Sequence, residues 1–179
     1  MKIPDNNIQD YVGTNFSVYK REEGETIIKY NTSGDIIENN EMYSKVMLGK
    51  CETCNPFYKN SFKGFTYDKV LVVGLGLGLV PHELSEVNGC SKIDVLEIDQ
   101  EIIDYTILSG HLNSDINLIQ GDIYNYTTTE TYDLIIIDTI WYAHEMSNED
   151  CELLKSRLLP NINTGGALYF PIKEKFIIR

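Results

Sequence analysis

Apolar positions follow two different rhythms along the chain. Over residues 1–66 they come in short runs broken by turn-forming residues, and from Lys69 onward they come as dense blocks separated by helical spacing. In the first region, "FSVYKREEGETIIKY" (residues 16–30) predicts a hairpin, with Val18, Ile27 and Ile28 in β-prone runs and "REEGE" as the turn. A second turn at "NTSGD" leads to Ile36 and Ile37. "NNEMYSKVMLGK" then predicts a helix capped by Asn39 or Asn40, with Met42, Val46 and Met47 at helical spacing.

The second region alternates strand and helix. "KVLVVG" is apolar without alternation, as expected of a strand covered on both faces. "VPHELSEV" is a short helix with Pro81 in its first turn. "KIDVLEID" is a second strand, and "QEIIDYTILSGHL" a helix in which Ile102, Ile103, Tyr105, Thr106 and Leu108 fall partly in step. "INLIQGD" and "YDLIIIDTI" are the third and fourth strands. "SNEDCELLKSRLLPN" is a helix with Ser147 as its cap and Asp150 three residues on, close to a capping box. "GGALYFPI" and "KFIIR" end the chain as strands, read as a terminal hairpin. This order predicts an α/β protein with a parallel sheet. Residues 1–66 form a hairpin-and-helix extension, and residues 67–179 the main domain.

Composition narrows the function. The 179 residues suffice for one domain with a real core. No apolar run approaches the ~20 residues of a membrane span, and "MKIPDNNIQDY" lacks the apolar centre of a signal peptide. The expected location is the cytoplasm, with no membrane partner. The net charge of −12 and the absence of a basic run argue against nucleic acid as a partner. A neutral or cationic small molecule fits, although acidity also serves solubility. Cys51 and Cys54 form a CxxC, but no second pair or HxxxH completes a zinc site. The four cysteines are read as reduced thiols and no metal is expected.

Four features fall at predicted strand ends, where sheets of this kind bind ligands. Gly74, Gly76 and Gly78 form a GxGxG turn that either admits a ligand or packs a tight strand-to-helix corner. Glu97, with Asp99 on the same face, stands about 20 residues further on, where an acid can take both hydroxyls of a ribose or remain solvated. Asp122 either accepts from an exocyclic amine such as adenine N6 or caps the short "IYNY" segment. Asp138 follows a fully apolar run, which suits a general base or an acid bonded to the next loop.

This order of glycine turn and three strand-end acids resembles the class I S-adenosylmethionine-dependent methyltransferases, with their Rossmann-like sheet. Within them "VLVVGLGLG", "VLEIDQEIIDYT" and "GETIIKYNTSGDIIENNEMYSKVML" are similar to the spermidine synthase family, including its N-terminal antiparallel β-hairpin. Glu41 and Tyr43 fall near that family's Glu-x-x-Tyr, spaced by one residue instead of two. The resemblance implies a Rossmann-like nucleoside-binding domain over residues 67–179. It implies that Gly74, Gly76 and Gly78 line the nucleoside tail, that Glu97 binds the ribose and Asp122 the adenine, and that Asp138 is the catalytic base. It puts Tyr43 on the substrate side; Trp141 and Tyr142 directly follow the base position, where they stack on a planar acceptor, hold a cation or pack the loop.

The departures from that family separate three readings. Leu77 stands where the family grips the aminopropyl amine with an Asp, and Trp141 where a second Asp binds the diamine. Val72 stands where many methyltransferases hold the methionine amine, with Glu83, His82 or Tyr43 as substitutes. The chain also ends soon after "GGALYF", earlier than that family does. Methyl transfer to a small molecule needs mainly alignment, so it survives these losses. It is the first reading, with S-adenosylmethionine as cofactor. An aminopropyltransferase using decarboxylated S-adenosylmethionine and a cationic polyamine acceptor is the second. A protein that binds or degrades S-adenosylmethionine without transfer is the third. The terminal hairpin leaves a sheet edge that a second subunit can cover, making a homo-oligomer.

Overall fold

The computed structural model describes residues 11–20, 26–30, 67–76, 78–85, 90–110, 112–139, 147–170 and 175–178. The helix predicted over "NNEMYSKVMLGK", together with Tyr43, Cys51, Cys54, Leu77, Trp141, Tyr142 and His144, lies outside the described residues.

Two sheets are built. The first is antiparallel, in the order β1 (Tyr11–Val12), β2 (Phe16–Lys20), β3 (Thr26–Tyr30). Its β2–β3 pair is the predicted hairpin, with Val18 opposite Ile28, and β1 is an additional strand. The second sheet contains β4 (Lys69–Val73), β5 (Lys92–Glu97), β6 (Ile116–Gln120), β7 (Tyr132–Ile137), β8 (Ile162–Phe170) and β9 (Lys175–Ile178). Its order is β6-β5-β4-β7-β8-β9, all parallel except the antiparallel β8–β9 hairpin. Helices α1 (Leu79–Glu83), α2 (Gln100–Ser109) and α3 (Asn148–Leu158) follow β4, β5 and β7. No described helix is long and apolar enough to cross a membrane.

The unbroken apolar strands are explained by two cores. On one face Val70, Val72, Ile93, Val95, Leu134 and Ile136 meet Val80 and Leu84 of α1 and Ile102, Ile103 and Tyr105 of α2. On the other Leu71, Val73, Leu96, Ile135 and Ile137 meet Cys151, Leu154 and Leu158 of α3. Alternate side chains of β4 and β7 therefore go to opposite, equally apolar layers. Leu108 departs from the expected pattern. It is 81% exposed, because it lies about 200° around α2 from the buried Thr106. Ser147 and Asp150 form the full capping box at the start of α3.

Buried polar groups are placed between elements. Asp94, in the middle of β5, accepts from the Tyr132 hydroxyl at 2.7 Å and from Asn117 Nδ2 at 2.9 Å. The N-terminal sheet is fastened to α2. Phe16 and Val18 enter the α1–α2 core, and the Tyr11 ring lies 5.2 Å from Phe16 and 5.1 Å from Tyr105. Glu101 accepts from the Tyr11 hydroxyl at 2.9 Å and from the amides of Thr14 and Asn15, each at 2.6 Å. Burial acts to raise the Glu101 carboxyl, but these three donors outweigh it and hold it below its ordinary value.

Candidate functional site

Strand order reverses at β4, with β5 and β6 on one side and β7 and β8 on the other. Such a reversal opens a crevice outside the carboxyl ends of the strands. Backbone hydrogen bonds stitch these ends together. Gly74 N–H donates to Leu96 O at 2.8 Å, Gly121 N–H to Glu97 O at 2.9 Å, and Asp138 N–H to Val73 O at 2.8 Å. The four predicted features thus converge on one edge of the sheet.

The glycines have individual reasons. Gly74 has φ 96°, and a Cβ there would run into the Asp138 carbonyl oxygen. Its bareness lets the end of β7 close against the loop. Gly76 has φ 52°, a left-handed conformation that suits glycine. Gly78 has φ 78°, and a Cβ there would lie 2.6 Å from Leu112 Cδ2. The Gly78 amide donates to Leu75 O at 2.8 Å, closing the turn into α1.

Glu97 is the buried acid of the crevice, 7% exposed. Its Oε2 accepts from the Leu75 amide at 2.8 Å and its Oε1 from the Asp99 amide at 2.9 Å. Burial pushes the Glu97 carboxyl above its ordinary value, and the amides of Asp99, Leu75 and Ile98 offset part of that. Asp99 does not share the position. The strand ends at Glu97, and Asp99 caps α2 by accepting from the Glu101 amide at 2.9 Å. Strand alternation therefore does not extend to Asp99. Beside Glu97 an open cavity of about 760 Å³ is bordered by Thr14, Asn15, Ile98, Asp99, Glu101 and Gln120, among others.

Asp122 holds its own turn. Oδ1 accepts from the Tyr124 amide at 3.0 Å and Oδ2 from Asn125 Nδ2 at 2.8 Å, the capping geometry anticipated for "IYNY". Asp138 is half-buried at the end of β7. Two polar groups near the glycine loop stand out. His82, 6% exposed, has no hydrogen-bond partner on either ring nitrogen, and neither has the buried Thr139 Oγ1. The sequence offered His82 only as one of several substitutes for an amine grip, and it passed over Thr139 and Glu101. The run around Thr139 reads only as apolar, and Glu101 acts on residues 86 and 87 positions away.

No family model matches the chain, and no curated protein matches it in sequence. Solved structures do match its fold. N-methyltransferase NodS from Bradyrhizobium japonicum WM9, in complex with S-adenosyl-L-homocysteine, is 18% identical with a TM-score of 0.55, over 77% of this chain and 67% of that one. The glycopeptide N-methyltransferase MtfA is 16% identical with a TM-score of 0.54, over 68% and 52%. A DhpI–SAH complex is 19% identical with a TM-score of 0.55, over 66% and 56%. The chain thus spans about two thirds of NodS and little more than half of MtfA and DhpI. Its six-stranded sheet shares the Rossmann-like fold of these structures, and a separate antiparallel unit precedes it.

Proposed function

We propose that this chain binds S-adenosylmethionine and transfers its methyl group to a small-molecule acceptor. The reading rests on Glu97, a buried carboxylate at the strand-order reversal that already holds the glycine loop. Its oxygens accept from the amides of Leu75, Asp99 and Ile98, and a carboxylate has about four lone-pair sites, so capacity is left for a ribose hydroxyl. The exposed Ile98 beside it offers an apolar surface to a base. The unsatisfied His82 and Thr139 also fit a ligand with a polar end.

S-adenosylmethionine, when bound, supplies an activated methyl group. Asp138, at the end of β7, takes the proton that an acceptor amine gives up. Gly74 lets Asp138 sit against the loop. Asp122 keeps lone pairs free for an exocyclic amine while it holds its turn. Tyr43 is assigned to the acceptor side on the sequence resemblance, and Trp141 and Tyr142 on their place in sequence after Asp138.

A second reading is aminopropyl transfer from decarboxylated S-adenosylmethionine to a polyamine. The N-terminal antiparallel sheet favours it, since it supports spermidine synthase-like descent, and the net charge of −12 suits a cationic acceptor. Incubation with methyl-labelled S-adenosylmethionine and a panel of amines tests the choice. Label in an acceptor is the expected result. Product formed only from the decarboxylated donor would give the second reading. Turnover without any acceptor would mean degradation instead of transfer.

A further inference from the structure

We propose that the β1–β2 turn is a wall of the adenosyl site and that Glu101 is the residue that positions it. The inference rests on the nucleoside reading above and extends that site into the N-terminal sheet.

The turn is short. Gly13 N–H donates to Phe16 O at 2.9 Å, leaving Thr14 and Asn15 at the tip. Both border the cavity beside Glu97, together with Ile98, Asp99 and Gln120. One residue joins the turn to the ribose acid. The Asp99 amide donates to Glu97 Oε1 at 2.9 Å, and Asp99 Oδ1 accepts from Asn15 Nδ2 at 3.2 Å. Thr14 brings a hydroxyl and Asn15 a side-chain amide to this border, groups that pair with the hydroxyls and nitrogens of a nucleoside.

Two devices hold the turn. Phe16 and Val18 enter the core and Tyr11 packs on Tyr105, which docks the sheet as a whole. Glu101 then fixes the tip. Its two oxygens take the Thr14 and Asn15 amides and the Tyr11 hydroxyl. A Cβ at Gly13 would run into that carboxylate, so glycine permits the close approach. The two amide bonds are exposed to water, where such contacts add little to stability. What three donors on one carboxylate do fix is geometry. A wall set in place before the ligand arrives lowers the ordering cost of binding.

The test is calorimetric titration of S-adenosylhomocysteine, with amide exchange at Phe16 and Val18 reporting on the sheet. Glu101→Ala and Asn15→Ala are expected to weaken binding roughly tenfold and fivefold. Glu101→Gln, which keeps one acceptor oxygen, should recover part of the loss. Tyr132→Phe destabilises the sheet at the start of β7 and should leave affinity unchanged, so lowered stability alone does not mimic the effect. If Glu101→Ala does not fold, Asn15→Ala and Glu101→Gln carry the same comparison. Faster exchange with unaltered affinity would make Glu101 a purely structural fastening and overturn the proposal while the nucleoside site stands. Failure of the intact protein to bind the ligand overturns both.

Discussion

Glu97 and Leu75 are 22 residues apart, yet the carboxylate of one accepts the amide of the other at 2.8 Å. The acid at the end of β5 thereby fixes the loop that leaves β4. One side chain orders the loop and stands where a ribose would lie, so its removal has consequences for both fold and binding.

Burial raises the Glu97 carboxyl in the folded state. The folded state therefore favours its protonated form, and the associated stability is present below the unfolded value of about 4.3. It is lost as pH rises through the raised folded value. Glu97→Gln is expected to flatten that part of the stability–pH curve in thermal melts. Hydroxyl donors need the ionised form, so ligand affinity in the unmodified protein should rise with pH over the same interval.

Glu101 behaves in the opposite sense. Its carboxyl is held down by the amides of Asn15 and Thr14 and by the Tyr11 hydroxyl, against the effect of burial. Its contribution is present above about pH 4.3 and is lost as pH falls through the lowered folded value. Glu101→Gln should cost about 1 kcal/mol, screened as it is by solvent. Faster amide exchange at Phe16 and Val18 is the expected sign that the N-terminal sheet has loosened.

Gly74→Ala and Gly110→Ala should differ. Both positions have positive φ, 96° and 60°. At Gly110 a Cβ would meet nothing within 4 Å, whereas at Gly74 it meets the Asp138 carbonyl. The Gly110 change should cost about 1 kcal/mol of backbone strain. The Gly74 change should cost about 3 kcal/mol or more and displace Asp138. Equal losses in urea unfolding would contradict the close approach.

Tyr132→Phe removes the hydroxyl that Asp94 accepts at 2.7 Å. Asp94 is 2% exposed and would keep Asn117 and Lys92, the latter at 3.6 Å. The expected loss is about 2 kcal/mol by denaturant unfolding, with ligand affinity unchanged because Tyr132 begins β7, away from the carboxyl ends of the strands.

The sheet was legible because β4 and β7 face apolar layers on both sides, which writes runs of Val, Leu and Ile into the sequence. The capping pair Ser147 and Asp150 was legible because capping is local. Strand β1 was not, since two residues make no periodic pattern. Asp99 was misread because its role as a helix cap decides where β5 stops. The meeting of Glu101 with Thr14 and Asn15 depends on tertiary docking, which leaves no trace in spacing. The convergence of Gly74, Glu97, Asp122 and Asp138 on one edge was legible, because strand ends in a doubly wound sheet share that edge.

The central claim is that an adenosyl ligand binds with its ribose on Glu97. Titration of S-adenosylhomocysteine into the unmodified protein and into Glu97→Ala, with circular dichroism to verify folding, tests it most directly. The account predicts saturable binding to the first and a loss of about a hundredfold or more in the second. The same affinity in a folded Glu97→Ala protein would contradict it.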